Sequence, residues 1–150
     1  MATGNGILGL QFKEGDFQYV EFSPDYPRAA KIEIEKGYIR DSTLRSDSYA
    51  IRGLHLLNCR VSGSTFLIGC CSNLLDISGT TICDSEFRDY NNYWDVVIRS
   101  GSTLINSPMR VTRGGSLTVS GSTVAWDMDG VALDLGADLT LNMNSVSILG

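Results

Sequence analysis

The sequence predicts an all-β solenoid of about six stacked repeats, each 21 or 22 residues long. Two observations support this prediction: pairs of apolar residues separated by one residue recur at that spacing, and no window shows a sustained helical apolar stripe. One repeat of this length cannot bury its inward side chains. Stacked repeats, about 4.8 Å apart, can bury them in one continuous core.

The repeats define three columns of apolar residues. The first column begins each copy, at Ile32, Leu54, Leu75, Val96, Leu117 and Leu139. The second follows seven residues later, or eight in the fourth copy, at Ile39, Val61, Ile82, Leu104, Val124 and Val146. The third comes two residues after a serine, at Leu44, Phe66, Phe87 and Met109, and the fifth copy breaks it with Trp126-Asp127-Met128-Asp129.

Residues 1–30 lie outside these repeats, so we expect a division into an N-terminal segment, 1–30, and a solenoid, 31–150. The segments 8–12 and 17–22, separated by Lys13-Glu14-Gly15-Asp16, predict a β-hairpin. Because an open solenoid end exposes unpaired strand edges, we expect the hairpin to cap the first repeat. The alternative is that it docks on a neighbouring subunit.

The composition excludes several classes of function. The chain has 150 residues, enough for one domain, and a net charge of −5, so it has no basic surface for nucleic acid. It has no apolar run long enough to insert in a membrane. The N-terminus lacks the features of a secretory signal. We therefore expect a virion, cytoplasmic or surface-assembled protein, and the sequence does not decide among these.

The columns, together with the stretch Gly114–Ser122, resemble the right-handed parallel β-helix, the pectin-lyase-like solenoid family. The rungs are similar to those of phage tailspikes and autotransporter passengers. The resemblance covers roughly residues 31–150 and implies architecture rather than one activity, because this fold carries lyases, adhesins, virion spikes and cytoskeletal polymers. The enzymes of this kind use clusters of aspartates that this sequence lacks.

The sequence offers no set of catalytic residues, and we expect neither an enzyme nor a bound cofactor or metal. Gly4–Gly9 fits G-x-G-x-x-G, but it has no strand before it and no helix after it. The four cysteines form no C-x-x-C pair and are expected to be free thiols. One polar column, Glu33, His55 and Asp76, should lie on adjacent rungs, either as a proton-transfer or metal site or as an exposed row.

A dense aromatic run offers a binding surface. It consists of Tyr90, Asn91, Asn92, Tyr93 and Trp94, and Trp126 follows two copies later. Tyrosine and tryptophan beside asparagine suit carbohydrate stacking or a protein partner. The alternative is that some rings turn inward to fill the rung while the asparagines form a turn.

The last copy stops after its second apolar column, without a polar capping segment. Terminal repeats need a polar outer face to stay soluble. An uncapped end indicates either that the chain is a fragment of a longer protein or that another subunit covers it. On the second alternative we expect a homo-oligomer or polymer joined through an end-to-end edge that consists of Leu139, Leu141, Val146 and Ile148. The predicted function is a structural subunit of a fibre, spike or filament; the alternatives are a binding module that uses the Tyr90–Trp94 run and a bactofilin-like intracellular polymer.

Overall fold

The computed structural model describes residues 9–22, 31–46, 53–68, 73–89, 94–111, 115–126, 128, 133–135 and 139–150. These residues form strands and bends but no helix, and each strand pair is parallel. The strands of successive repeats stack into a parallel β-solenoid, which confirms the predicted fold class. Each repeat places one strand in each of three sheets, until the last repeat, where the described residues supply only two.

The first sheet has seven strands. In spatial order they are β1 (Gly9–Phe12), β4 (Lys31–Glu35), β7 (Gly53–Leu57), β10 (Asn73–Ser78), β13 (Trp94–Arg99), β16 (Gly115–Ser120) and β19 (Leu139–Asn144). The second sheet also has seven: β2 (Gly15–Gln18), β5 (Gly37–Arg40), β8 (Arg60–Ser62), β11 (Thr81–Cys83), β14 (Thr103–Ile105), β17 (Thr123–Ala125) and β20 (Ser147–Leu149). The third has six: β3 (Glu21–Phe22), β6 (Thr43–Ser46), β9 (Thr65–Ile68), β12 (Glu86–Asp89), β15 (Met109–Val111) and β18 (Leu133–Leu135).

The predicted apolar columns form the core. Leu54 pairs in register with Ile32 and Leu75, and the side chains of all three are buried. In the second sheet Ile82 pairs with Val61 and Leu104, which are equally buried. Because side chains alternate along each strand, the first sheet contributes two inward positions per rung and the second sheet contributes one.

The third column contains an aromatic stack. The rings of Phe66 and Phe87 are parallel within 5°, with centroids 4.4 Å apart, and neither side chain is exposed. Met109 continues the column, and Leu133 pairs with Met109. By backbone register Leu133 therefore occupies the next position of the column, although the sequence pattern breaks at Trp126, because residues 126–132 separate β17 from β18 where only 106–108 separate β14 from β15.

Hydroxyl groups line two corners of the solenoid. Between the second and third sheets the buried serines Ser42, Ser64, Ser85 and Ser107 lie in register. Each hydroxyl accepts a hydrogen bond from the backbone N–H one rung earlier and donates to a carbonyl two residues before it. These hydrogen bonds satisfy backbone N–H and C=O groups at the bend, which have no partner within the sheets.

The other corner carries a similar column between the first and second sheets. The side-chain oxygens of Thr80 and Ser102 accept hydrogen bonds from the backbone N–H groups of Cys59 and Thr80. The Cys59 thiol occupies the same position and donates to the Ile34 carbonyl at 3.1 Å. Cys59 and Cys83 are both free, as predicted, but Cys59 acts as a hydrogen-bonding corner residue as well as an apolar one.

The predicted N-terminal hairpin is wrong. β1 and β2 each pair in parallel with the equivalent strand of the next repeat, β4 and β5, and β3 pairs with β6. Residues 9–22 thus form a rung that covers the next one. The two apolar runs fit the inward columns, since Phe12 pairs with Ile34 and Phe17 with Ile39. An apolar alternation on either side of a short polar turn does not distinguish a hairpin from a solenoid corner.

The register predicted for the last repeat is also wrong. Leu117 pairs with Leu141, two residues beyond the predicted Leu139, and Val124 pairs with Ile148 instead of Val146. Alternating apolar residues at positions 139, 141 and 143 satisfy the pattern in either register. The corner decides between them, because Ser145, with φ of 54°, adopts the left-handed conformation that Gly121 has one rung earlier.

Candidate functional site

The polar column lies where the sequence places it. His55 pairs in register with Glu33 on one side and Asp76 on the other, along the outer face of the first sheet. Gln11 extends the column by one rung and donates from Nε2 to the Glu33 carboxylate at 2.6 Å. The column therefore runs through four rungs of hydrogen-bonding side chains, of which the sequence predicted three.

Arg99 dominates the chemistry of this column. Its Nε and one terminal nitrogen donate to the two carboxylate oxygens of Asp76, at 2.9 and 2.8 Å, and His55 Nδ1 lies 3.4 Å from Asp76 Oδ2. The hydrogen bonds from Arg99 hold the pKa of Asp76 below its usual range, against the opposing effect of burial. Asp76 is thus a buried, ionised carboxylate rather than a member of an exposed row.

This geometry argues against the use of Asp76 in proton transfer. Both oxygens of Asp76 already accept bonds from Arg99, so the carboxylate is not poised to take or deliver a proton. Within the described ranges, no group of three or more His, Cys, Asp or Glu side chains is arranged to hold a metal ion. What the column does provide is a ladder of charged and polar pairs that joins successive rungs.

The last rung presents an open apolar edge. β19 and β20 are terminal strands of their sheets and have a neighbour on one side only, among the described residues. Ile148 is 65 % exposed, whereas Val124, one rung earlier in the same column, is 5 % exposed. Leu141 and Met143 in the first sheet are also exposed. Val146 is partly buried against the core, and the side chain of Leu139 is outside the described set.

The opposite end of the solenoid is also a strand edge. β1, β2 and β3 are the terminal strands of the three sheets in the described chain. Phe12 and Phe17 pack edge to face, with centroids 5.4 Å apart, and both are only partly buried against the core. Two apolar columns are therefore incompletely covered at this end as well.

The aromatic run falls mostly outside the described residues. Tyr90, Asn91, Asn92 and Tyr93 are not described, and for Trp94 only the backbone is, which begins β13 and pairs with Asn73 and Gly115. The binding surface predicted there stays a prediction. Trp126 does not lie in register with Trp94, because it follows β17 of the second sheet. Its indole N–H is buried without a hydrogen-bond acceptor, so this polar group is not offered to a ligand.

Sequence reasoning missed residues at both sites. At the open edge it missed Met143 and Leu149, because the register was placed two residues early. In the polar column it missed Gln11 and Arg99. Gln11 could have been found by treating residues 9–22 as a repeat. Arg99 lies on a neighbouring rung at a diagonal position, which column alignment does not indicate.

Comparisons with known proteins add no family to this fold. No protein-family model, curated protein or solved structure matches the chain. No helix in the described part of the chain has the length and apolar character needed to cross a lipid bilayer. The class that the structure defines is therefore the parallel β-solenoid.

Proposed function

We propose that the protein is a structural subunit that associates head to tail, the last rung of one copy stacking on the first rung of the next. The observation that carries this proposal is the exposure of core-column side chains on the last rung, above all Ile148 at 65 %. Such an assembly would serve as a fibre, spike or filament, on a virion or cell surface or inside a cell.

An uncovered edge of this kind favours association for two reasons. Terminal strands present unpaired backbone N–H and C=O groups, which pair readily with another strand. Full burial of a Leu, Ile or Met side chain contributes about 1.5–3 kcal/mol. Leu141, Met143 and Ile148 together offer several such contributions, which offset the entropy that association costs.

A second copy fits this edge in the register that the solenoid already uses. If the columns continued into the next copy, its Phe12 would lie on Met143 and its Phe17 on Ile148. On the outer face, the amide of Gln11 then meets the amide of Asn142. No like charges face each other in these pairs. The joint continues two of the three sheets, since the described third sheet ends one rung earlier, at β18.

The experiment measures mass against protein concentration by light scattering, with negative-stain images of the same samples. We expect mass to rise with concentration and the images to show rods, and we expect Ile148→Lys to remain monomeric. A lysine is tolerated by the isolated subunit because the position is solvent-exposed, but a stacked copy would bury its charge.

Thr103→Lys serves as the matched control. Thr103 lies in the middle of the second sheet, on the outer face, where a lysine adds the same charge away from both ends. This variant should assemble like the unmodified protein. A monomer at all concentrations would contradict the proposal, and an intact polymer in Ile148→Lys would exclude this edge as the joint.

A further inference from the structure

A groove of about 470 Å³ lies on the outer face of the second sheet, away from both ends of the solenoid. It is lined by Tyr38, Arg40, Arg60, Val61, Ser62, Thr81 and Cys83, from three successive rungs. Its form follows from side-chain size. Tyr38 and Arg40 are large and stand at one end, whereas Ser62, Thr81 and Cys83 are small and leave a depression beside them.

The lining is rich in hydrogen-bond donors and contains no carboxylate. Two guanidinium groups, three hydroxyls and a thiol are the side-chain polar groups that it presents. Donor-rich surfaces of this kind suit an acceptor-rich ligand, and a guanidinium pairs best with an oxyanion, which accepts two parallel hydrogen bonds. The volume is within the range typical of small-molecule sites.

Arg60 is the cation best placed to meet such a ligand. Its guanidinium carbon lies 5.8 Å from the centroid of the Tyr38 ring, within the range of a cation–π contact. Within the described residues, Arg60 makes no ion pair. Arg40 differs, because one of its terminal nitrogens donates to both carboxylate oxygens of Asp16, at 2.9 and 2.8 Å, so that Arg40 already has an anionic partner.

Two carboxylates lie at the corner beside the groove, Asp41 after Arg40 and Asp84 after Cys83. Burial, and after it the negative charge of Asp84 at the following corner, raises the pKa of the Cys83 thiol. An anion is therefore repelled from the Cys83 end of the groove and attracted to the Arg60 end. The small side chains between these ends provide room for an uncharged remainder of the ligand.

We propose that this groove binds a small molecule through an oxyanion, a carboxylate, sulfate or phosphate, that pairs with Arg60 and lies over Ser62 and Thr81. The site is on the side of the solenoid and stays open in a head-to-tail stack. The inference is therefore independent of the proposed assembly.

The test is isothermal titration calorimetry of the full chain with phenyl phosphate, benzoate and inorganic phosphate, and with benzyl alcohol as the neutral probe. We expect saturable binding of the anions, weakened by salt, and none of benzyl alcohol. If inorganic phosphate binds as well as phenyl phosphate, the oxyanion alone carries the affinity. If phenyl phosphate binds more tightly, the ring also occupies the groove.

Two variants test the location of the site. Arg60→Gln removes the charge and should weaken binding at least about tenfold, the loss expected for a charge-assisted hydrogen bond. Ser62→Leu fills the depression without changing charge and should weaken phenyl phosphate more than inorganic phosphate. Far-UV circular dichroism shows whether both variants keep the fold.

Arg110→Gln is the matched control, because Arg110 is exposed on the third sheet, 3.7 Å from Glu86, and outside the groove. It should leave affinity unchanged. An equal loss of anion affinity in Arg110→Gln and Arg60→Gln would mean that the anions are attracted to any surface arginine, and would overturn the proposal. Equal binding of benzyl alcohol, or no saturable binding of any anion, would overturn it as well.

Discussion

The backbone N–H of Ser64 donates a hydrogen bond of 3.2 Å to the hydroxyl oxygen of Ser85, one rung further along the solenoid. The same hydroxyl donates to the Cys83 carbonyl at 2.8 Å. One side chain thus satisfies two backbone groups at a corner where the strands turn. Because Ser85 is only 2 % exposed, water has no access to this corner and does not compete for the two hydrogen bonds of the hydroxyl.

Ser85→Ala should lower the free energy of unfolding by about 1–3 kcal/mol, the cost of leaving a buried backbone donor unpaired. The change removes only an oxygen atom, so it creates little cavity. Chemical denaturation measures the loss, and hydrogen exchange should show faster exchange of the Ser64 amide in particular. Ser78→Ala is the control, since Ser78 is half-buried at the end of β10 and its hydroxyl makes no hydrogen bond within the described residues. If Ser85→Ala and Ser78→Ala lost the same free energy of unfolding, the hydrogen bonds of the corner serines would contribute nothing specific to stability.

The Asp76–Arg99 pair predicts a specific dependence of stability on pH. Arg99 lowers the pKa of Asp76 in the folded protein, so ionised Asp76 stabilises the fold at pH values above the unfolded pKa, about 3.9. That contribution is lost as pH falls through the lower folded pKa. The stability of the unmodified protein should therefore fall more steeply below about pH 4 than that of Asp76→Asn. Urea denaturation between pH 7 and the acid limit of folding measures both curves.

Arg99→Gln separates this effect from other titrating carboxylates. Without the guanidinium, the pKa of Asp76 should rise, because burial then acts with less opposition. Carbon-13 NMR of the Asp76 carboxyl group follows its titration directly. Parallel stability curves for the unmodified protein and Asp76→Asn, or an unchanged Asp76 titration in Arg99→Gln, would contradict the assigned role of the pair.

The core was largely predictable from the sequence, because burial imposes a strict rule on each column. Positions equivalent to Ile82 face inward on each rung, so only apolar side chains fit, and the period is visible without a structure. The outward column of Glu33, His55 and Asp76 could be predicted for the same reason. Once the inward residues are aligned, the residues between them are aligned too.

The parts that could not be predicted depend on corners and on diagonal contacts. The last register depends on which residue adopts the left-handed conformation, and both candidate registers place apolar residues inward. The Arg99–Asp76 pair joins residues 23 positions apart, one full repeat plus two, so that a long side chain reaches across to the previous rung. The groove depends on differences in side-chain size among neighbouring outward positions, which leave no periodic signal.

Two corner glycines offer a test of how these bends are stabilised. Gly63 and Gly121 both have positive φ, +55° and +53°, so an alanine at either position pays the cost of the left-handed conformation, about 1–2 kcal/mol. A Cβ at Gly63 would lie 2.6 Å from Asp41 Oδ1, whereas a Cβ at Gly121 would meet no atom within 4 Å. We therefore expect Gly63→Ala to lower the free energy of unfolding more than Gly121→Ala, which serves as its control.

The additional loss in Gly63→Ala should come from displacement of Asp41, whose other carboxylate oxygen accepts a hydrogen bond of 3.2 Å from Gln18. Asp41→Gly removes the obstructing side chain. In that background, Gly63→Ala should cost about as much as Gly121→Ala does in the unmodified protein. Denaturation of the four variants completes the cycle. If Gly63→Ala costs the same with and without the Asp41 side chain, close approach plays no part, and the left-handed backbone alone accounts for the loss of stability.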